Sequence, residues 1–381
     1  MKKTFLQNVK GTFDAGWETQ SIRNHVTGVL RKNFEAFGYL PLETAKVNNL
    51  SLLTYKYDPD AEIVREIYKI RDQGDRDLGL RFDLTVPLCK YIANNQSIKL
   101  PMKRYEIGKV WRNGPVKMGR TREFYQCDVD AVGIDGQHIE AELISLAIKC
   151  CLELGIKPLV KYGNRKLLPY SDKIISIIDK MAKVTHKALI DDLSKHMKPK
   201  EAEELIHNVK NAPKIPEVLD LEFALGELGV LEYCEYAPYL VRGLNVYTGT
   251  VYELYDSSGK IQSSIGGGGR YDKIIGNFID NGKQYPAVGL SLGLEPLMAV
   301  ITQTHQTKSP IDLMLIPLGT ESFAQKIAND LRAKGQNVLV YLGAKNLAKA
   351  FEYAAAYGIK NCAVIGPDEA KGKELVIKVV N

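Results

Sequence analysis

The stretch from Arg104 to Gly133 constrains the fold of this chain more than any other. Apolar and polar residues alternate with a period of two at both of its ends, as is typical of half-buried strands. The segment between them, RNGPVKMGRTR, is polar and contains the Gly and Pro residues that interrupt strands. The sequence therefore predicts two long antiparallel strands that are joined by a polar loop.

Charged side chains are distributed unevenly along this stretch. Cations crowd the loop, at Arg112, Lys117, Arg120 and Arg122. Polar side chains share one face of the second strand, at Gln126, Asp128 and Asp130. Cations at one end and acids at the other suit a ligand that has a phosphate end and an amine end. A hairpin at a sheet edge with solvated charges is the open alternative for this stretch alone.

Several motifs resemble, in order, those of class II aminoacyl-tRNA synthetases, and in particular the histidyl-tRNA synthetase family. Arg112 with the later GRTREFYQ resembles motif 2 of that class, and REFYQCDVD is similar to its histidyl version. Further segments resemble the same family: LRFDLTVPL at 80–88, LVRGLNVYTGTVYE at 240–253, GGGGRYD at 266–272 and VGLSLGLE at 288–295. The resemblance covers nearly the whole chain.

The resemblance implies an α+β class II synthetase-like catalytic domain over residues 1–305, with an antiparallel sheet flanked by helices. Within it, residues 64–73 and 78–88 are predicted strands, and a Lys-rich section at about 170–232 resembles the family's helical insertion. From 310 to 381, strands and helices alternate, which predicts an α/β domain with a parallel sheet. This domain resembles an anticodon-binding domain, and we expect it to be shortened at its C-terminal end.

The resemblance also implies a site for histidine. Its residues in this sequence are Asp83, Thr85, Gln126, Asp130, Tyr247 and Arg242. Asp130 and Tyr247 align with the family's partners of the imidazole ring, which presents one donor and one acceptor when neutral. Asp83 and Gln126 align with the partners of the α-amine. An ion pair with Arg81 is the open alternative for Asp83.

A site for ATP is implied next to the histidine site. Its residues are Arg112, Arg120, Glu123, Arg270 and Glu295, and we expect Mg²⁺ to bridge the ATP phosphates. Arg112 and Arg242 are the predicted catalytic residues, because a guanidinium is always charged and donates two parallel hydrogen bonds to a phosphate. Two arginines at one site require an anion, which favours a bound ligand. The sequence predicts no metal site formed by protein side chains alone.

The chain departs from the family's pattern at Ala45, Gly114, Val246 and Pro296. Ala45 stands in place of a proline of the dimer interface, and Gly114 in place of an acid near the adenine amine. Val246 replaces a tyrosine of the histidine motif. Pro296 replaces an arginine that reaches the γ-phosphate, and a proline donates nothing to a phosphate.

Three outcomes are open at Pro296: a nearby cation replaces that arginine, Mg²⁺ bears more of the phosphate charge, or ATP is not used. We expect the first. Arg270 is the cation that we expect, because it follows a glycine run that lets the backbone approach a ligand closely. Lys117 is the other candidate. A salt bridge from Arg270 to Asp272 or Glu295 is the open alternative.

The implied activity is that of a histidine–tRNA ligase, which activates L-histidine with ATP and transfers it to tRNA(His). The open alternative is a non-catalytic regulatory paralogue, such as the regulatory subunit of an ATP phosphoribosyltransferase. Gly114, Val246 and Pro296 favour the paralogue, whereas the two predicted catalytic arginines and the second domain favour the enzyme. A Rossmann-type nucleotide binder is excluded, because its glycine fingerprint is missing.

Composition adds limits on partners and compartment. The net charge of +6 is compatible with a polyanionic partner without demonstrating one. The six cysteines form no Cys-x-x-Cys pair, so we expect reduced thiols in a cytoplasmic protein. No apolar run reaches the roughly 18–20 residues of a membrane span. The apolar faces of a helix at 22–37 and of the strand after it predict a twofold homodimer.

Overall fold

The computed structural model describes residues 4–55, 62–116, 121–181, 184–241, 246–302, 309–343, 346–372 and 374–379. Contacts between Cα atoms divide the chain into two compact units. The larger unit comprises residues 1–14 and 23–304, and the smaller comprises 15–22 and 305–381. None of the described helices combines the length and apolarity that crossing a membrane requires.

The described α-helices are α1 (Trp17–Ala36), α2 (Leu50–Thr54), α3 (Glu62–Arg65), α4 (Thr85–Asn94), α5 (His138–Glu153), α6 (Asp172–Ile178), α7 (His186–Leu193), α8 (Pro199–Lys210), α9 (Pro216–Glu227), α10 (Ile274–Ile279), α11 (Leu294–Ile301), α12 (Glu321–Ala333), α13 (Leu347–Ala356) and α14 (Pro367–Ala370). The described strands are β1 (Leu40–Pro41), β2 (Val47–Asn49), β3 (Lys69–Arg71), β4 (Asp77–Leu80), β5 (Met102–Trp111), β6 (Glu123–Val132), β7 (Pro158–Asn164), β8 (Cys234–Tyr236), β9 (Thr250–Asp256), β10 (Gly266–Arg270), β11 (Ala287–Gly293), β12 (Leu313–Pro317), β13 (Val338–Val340), β14 (Asn361–Ile365) and β15 (Ile377–Val379).

An eight-stranded sheet forms the frame of the larger unit, in the order β1-β5-β6-β11-β10-β9-β7-β8. β5 and β6 pair antiparallel along their whole length, from Met102 opposite Val132 to Trp111 opposite Glu123. β11, β10, β9 and β7 continue the antiparallel pairing, whereas β1 and β8 join the two edges in parallel. The predicted hairpin and the predicted antiparallel sheet flanked by helices are therefore confirmed.

The two faces of this sheet differ in chemistry, because successive side chains of a strand point to opposite faces. One face of β6, which we call the helix face, packs against α11 and carries buried apolar side chains, Cys127, Val129 and Ala131. The other face, which we call the site face, carries polar side chains, Gln126, Asp128 and Asp130. The sheet thus separates the apolar core from the candidate site.

The region before the hairpin differs from the prediction of long strands at 64–73 and 78–88. β3 and β4 are short and pair antiparallel, and the chain is helical from Thr85 onward. Asp83 explains this helix start, since its Oδ1 accepts the Val86 backbone N–H at 3.0 Å, as a capping side chain does. The prediction of a strand beyond Leu80 is therefore wrong.

Four helices, α6 to α9, lie between β7 and β8, where the sequence predicts a helical insertion. α6, α7 and α8 share an apolar cluster of their own, which includes Ile175, Leu193 and Ile206. α9 packs against α5 next to the large sheet. The first three helices therefore have a core that is separate from the sheet.

The smaller unit contains a four-stranded sheet in the order β13-β12-β14-β15. β13, β12 and β14 are parallel, and β15 joins the edge antiparallel. Ala324 and Ala328 of α12 pack into one apolar cluster, and Ala350 and Ala354 of α13 pack into another. The two helices thus cover opposite faces of the sheet, and the predicted α/β domain with its parallel strands is confirmed.

Candidate active site

Candidate ligand groups follow one another along the site face of β6. Phe124, Gln126, Asp128 and Asp130 occupy alternate positions of the strand, and Arg112 lies beside Phe124 just after the end of β5. A rise of roughly 3.3 Å per residue spreads this line over about 20 Å. It is long enough for a phosphate at one end and an amino acid at the other.

Asp130 is held by two buried partners. The Tyr271 hydroxyl donates to its Oδ1 at 2.5 Å, and the Arg104 Nη2 lies 2.8 Å from its Oδ2. Gly289 faces it on β11, where a Cβ would lie 2.1 Å from the Asp130 Oδ1. The carboxylate therefore requires glycine at this position. Burial raises the pKa of Asp130, and the positive charge of Arg104 opposes that rise.

A second buried arginine, Arg81, lies near Arg104. It pairs with Glu106 at 2.6 Å and donates to the Thr44 carbonyl oxygen at 2.9 Å. Among the described residues, the ion-pair partner of Arg81 is thus Glu106 and not Asp83. The open alternative for Asp83, an ion pair with Arg81, is therefore not the observed arrangement.

A small opening lies at the site face. A cavity of about 30 Å³ is lined by residues that include Thr85, Asp128, Asp130, Tyr247, Tyr271 and Ser291. Gln126 stands beside it, since its Nε2 donates to the Ser291 Oγ at 2.8 Å. The structure therefore brings four of the residues predicted for histidine, Thr85, Gln126, Asp130 and Tyr247, to one place.

Asp128 is a residue of this opening that the predicted histidine site does not include. Its side chain is buried, and its Oδ1 has no hydrogen-bond partner among the described residues. Burial raises the pKa of this carboxyl to about 8, and the nearby charge of Asp130 adds to the rise. The signal in the sequence is the period-two alternation, which puts Asp128 between Gln126 and Asp130 on one face.

The glycine run of β10 is explained by close packing of backbones around the opening. A Cβ on Gly268 would lie 1.9 Å from the Gly289 carbonyl oxygen. A Cβ on Gly269 would lie 2.5 Å from the Thr250 carbonyl oxygen and 3.0 Å from the Tyr247 ring. The run therefore allows Tyr247 to lie against a strand without side chains.

Arg112 is fixed at the other end of the line. Its Nε donates to the Phe82 carbonyl oxygen at 2.9 Å, and its Cζ lies 5.3 Å from the centre of the Phe124 ring. At Gly114, a Cβ would lie 2.1 Å from the Glu66 Oε1. The Glu66 carboxylate thus occupies the space next to Gly114 and would have to move to admit a side chain there.

Two acids that the sequence predicts at the ATP site, Glu123 and Glu295, have partners on the helix-face side of the sheet. Glu123 accepts from the Lys109 Nζ at 2.6 Å and from the Trp111 Nε1 at 2.9 Å. The Glu295 Oε2 accepts the Tyr125 backbone N–H at 3.0 Å. These contacts tie the hairpin to itself and to α11.

Arg270 is buried and forms a two-point ion pair with Glu140 of α5, at 2.6 and 2.8 Å. Asp272 lies 3.4 Å from its Nη1. This is an internal salt bridge of the kind left open by the sequence, with Glu140 as the main partner. The role of Arg270 at the ATP site stays a prediction, and the phosphates would have to displace Glu140 to reach it.

The remaining predictions concern three cations and two departures from the family's pattern. Lys117, Arg120 and Arg242 lie outside the described residues. Pro296 lies in the first turn of α11, where backbone N–H groups lack an intrahelical acceptor, so proline loses no hydrogen bond. Val246 is half-buried and packs against the apolar cluster of α4 and α10.

Comparison with known proteins covers both units of the chain. A family model described as Histidyl-tRNA synthetase matches residues 11–169 and 171–297, and one described as Anticodon binding domain matches residues 312–381. The chain is 40% identical to histidine–tRNA ligase 1 of Bacillus cereus over 98% of this chain and 93% of that protein. It is 34% identical to the histidine–tRNA ligase of Pyrobaculum aerophilum over 93% of this chain and 89% of that protein.

Solved structures show the same fold. The histidyl-tRNA synthetase from Nostoc superposes with a TM-score of 0.82 at 25% identity, covering 98% of this chain and 94% of the other. A Bacillus halodurans protein described as an ATP phosphoribosyltransferase regulatory subunit/histidyl-tRNA synthetase gives a TM-score of 0.78 at 17% identity, covering 96% and 99% of the two chains. The second likeness bears on the fold alone.

Proposed function

The chain belongs to the histidyl-tRNA synthetase family, and we propose that it is an ATP-dependent histidine–tRNA ligase with tRNA(His) as its RNA substrate. One observation of the structure carries this proposal. A single strand face presents Arg112 at one end and the acceptor groups Gln126 and Asp130 at the other. This order suits ATP and histidine lying end to end.

In the amino-acid half, we propose that the Asp130 carboxylate accepts the imidazole N–H. Tyr247 closes the opening against the ring, and Gln126 accepts from the α-ammonium with Asp83 and Thr85 beside it. Arg242 would hold the carboxylate. Asp130 is already oriented by Arg104 and Tyr271, so binding needs little rearrangement.

In the nucleotide half, Arg112 donates to the α-phosphate and stabilises the charge that grows when a histidine carboxylate oxygen attacks phosphorus. Pyrophosphate leaves, and a terminal tRNA hydroxyl then attacks the activated carbonyl and releases AMP. Arg120 is proposed as a further phosphate contact. Glu123, Glu295 and Arg270 are proposed as structural residues, because each already has an internal partner.

Mg²⁺ neutralises phosphate charge when it is bound with ATP. Among the described residues, no group of three or more His, Cys, Asp or Glu side chains is placed to hold a metal ion. Mg²⁺ usually keeps several waters and binds through phosphates and one or two carboxylates, so the residues present are compatible with a metal that arrives on ATP.

Histidine-dependent exchange of pyrophosphate into ATP tests this function. We expect exchange by the pure protein with histidine and Mg²⁺, and a loss of at least about a hundredfold in Arg112→Ala, since charged hydrogen bonds to the phosphate disappear. Lys149→Ala, an exposed change on α5, is the matched control. Histidine binding without any exchange would favour the regulatory paralogue instead.

For partners, we propose that residues 1–305 form the catalytic domain and that residues 310–381 contact the anticodon of tRNA(His). Single-stranded loop bases are the readable part of an RNA, and phosphate contacts make binding sensitive to salt. Deleting residues 310–381 should therefore weaken tRNA binding while leaving pyrophosphate exchange in place. Unchanged tRNA affinity would contradict this assignment.

We also propose a cytoplasmic homodimer, with a correction to the surface expected to form it. The apolar face of α1 is already buried within the chain, including Val26, Leu30 and Phe34. Leu40 of β1 is 69% exposed, and Phe5 and Phe13 are 78% and 68% exposed, so these residues are the better candidates for the interface. Light scattering that gives a monomer at micromolar concentration would contradict the dimer.

A further inference from the structure

Buried polar atoms without a hydrogen-bond partner among the described residues include donors of Arg81 and Arg104 and two acceptors on the site face of β6. The Asp128 Oδ1 and the Gln126 Oε1 are buried, and neither has a hydrogen-bond partner among the described residues. Both side chains leave β6 on the same face, two positions apart. An acceptor that is buried without a donor costs about 1–3 kcal/mol, so this arrangement favours a ligand that brings several N–H groups.

Buried carboxyls outnumber buried cations around Asp128. The buried cations near it are Arg81 and Arg104, and the buried carboxyls are Glu106, Asp128 and Asp130. Asp83 adds a further acid that raises the pKa of Asp128. Opposite it in the sheet lie Glu106 on β5 and Ser291 on β11, and Ser291 carries no charge but forms a hydrogen bond with the Asp128 carboxyl. Because burial of an unpaired charge is costly, one carboxyl has to keep its proton or a cation has to enter.

We propose that Asp128 is the ionic partner of the amino acid's α-ammonium and that it releases its proton to solvent when the amino acid binds. This inference rests on the proposed function and identifies the carboxyl that neutralises the α-ammonium in the histidine site. The ammonium donates to the Asp128 Oδ1 and the Gln126 Oε1, and no covalent bond changes. Arg104 and Tyr271 hold the Asp130 carboxylate in place, and we assign Asp130 to the imidazole ring and not to the ammonium.

The protonation state of Asp128 in the ligand-free protein determines whether binding releases or takes up a proton. Burial and the charge of Asp130 raise the pKa of Asp128 to about 8, so the carboxyl is protonated at neutral pH. A cation bound beside it lowers that pKa. Binding near pH 7 should therefore release about one proton, and the release should disappear above about pH 9, where the carboxylate is already ionised.

Titration calorimetry in buffers of different ionisation heat measures this release. L-histidine and histidinol, which carry an ammonium, should each release about one proton more than imidazolepropionate, which has the ring but no ammonium. In Asp128→Asn, the ammonium-linked release should vanish and L-histidine should bind at least about tenfold more weakly. Asp330→Asn, which removes an exposed acid of α12, is the matched control and should behave as the wild type.

The comparison of ligands uses only the wild-type protein, so it tests ammonium-linked proton release even if Asp128→Asn does not fold. Equal proton release with imidazolepropionate and L-histidine overturns the proposal, as does full release in Asp128→Asn. If wild-type pyrophosphate exchange is then normal, the ligase function stands and only the role of Asp128 fails. A wild type that neither binds histidine nor supports exchange overturns both.

Discussion

The site face and the helix face of β6 each carry an acid, but the two carboxylates differ in their hydrogen-bond partners. On the helix face, the Glu123 carboxylate receives hydrogen bonds from Lys109 and Trp111, which are both on the neighbouring strand. On the site face, the Asp128 Oδ1 receives none from the described residues. A buried acid with an open acceptor is therefore a better sign of a ligand site than the presence of an acid in a motif.

Asp130→Ala should have the largest effect, because it removes an acid from the site face that also neutralises Arg104. Breaking a buried ion pair from one side typically costs about 3–5 kcal/mol, so the free energy of unfolding should fall by that amount. Urea denaturation measures it, and calorimetry should show histidine binding lost at the same time. Asp130→Asn is the control of similar shape. A variant as stable as the wild type would contradict the buried pair.

Arg270→Ala tests the helix face of the sheet. The substitution removes the internal salt bridge and leaves the Glu140 carboxylate buried without its cation. We expect a loss of about 3 kcal/mol in unfolding free energy with little change in the KM for ATP. Arg270→Met combined with Glu140→Leu removes both charges and should recover much of the stability, since the lone carboxylate is gone. A large rise in the ATP KM with the stability retained would restore Arg270 to the nucleotide site.

Asp128→Asn should change how stability depends on pH in the absence of ligand. The pKa of Asp128 is about 8 in the folded protein, above its unfolded value, so the native state binds the extra proton. Stability of the wild type should therefore fall by several kcal/mol as the pH rises from about 4 to about 8, because each tenfold difference in proton affinity is worth about 1.4 kcal/mol. Urea denaturation at several pH values should show this fall reduced in Asp128→Asn. Equal pH dependence of the unfolding free energy in the wild type and in Asp128→Asn would contradict the raised pKa of Asp128.

Glu123→Gln should have the smallest effect. The ion pair of Glu123 with Lys109 has side chains 26% and 37% exposed, and such pairs contribute about 0–1 kcal/mol. Unfolding free energy should change by less than about 1 kcal/mol, and the KM values for ATP and histidine should stay the same. A tenfold rise in the ATP KM would place Glu123 at the nucleotide after all.

Much of the architecture is determined by local pattern in the sequence. Period-two alternation predicts β5 and β6, and the regular succession of strands and helices predicts the parallel sheet of the smaller unit. The same alternation already puts Gln126, Asp128 and Asp130 on one face. It fails beyond Leu80, where α4 begins at Thr85 and the Asp83 carboxylate accepts the Val86 backbone N–H in its first turn.

The tertiary structure alone decides which of these polar groups are satisfied. Arg270 and Glu140 are 130 positions apart in the chain, so no local pattern could pair them, and only the packing of α5 against the sheet brings them together. Likewise, Glu66 takes the space beside Gly114, and Arg104 of β5 meets Asp130, which lies opposite it on β6. Sequence patterns fix the direction of a side chain from its own strand. The partner that it meets depends on how distant segments fold together, and that partner separates an internal salt bridge from an open binding site.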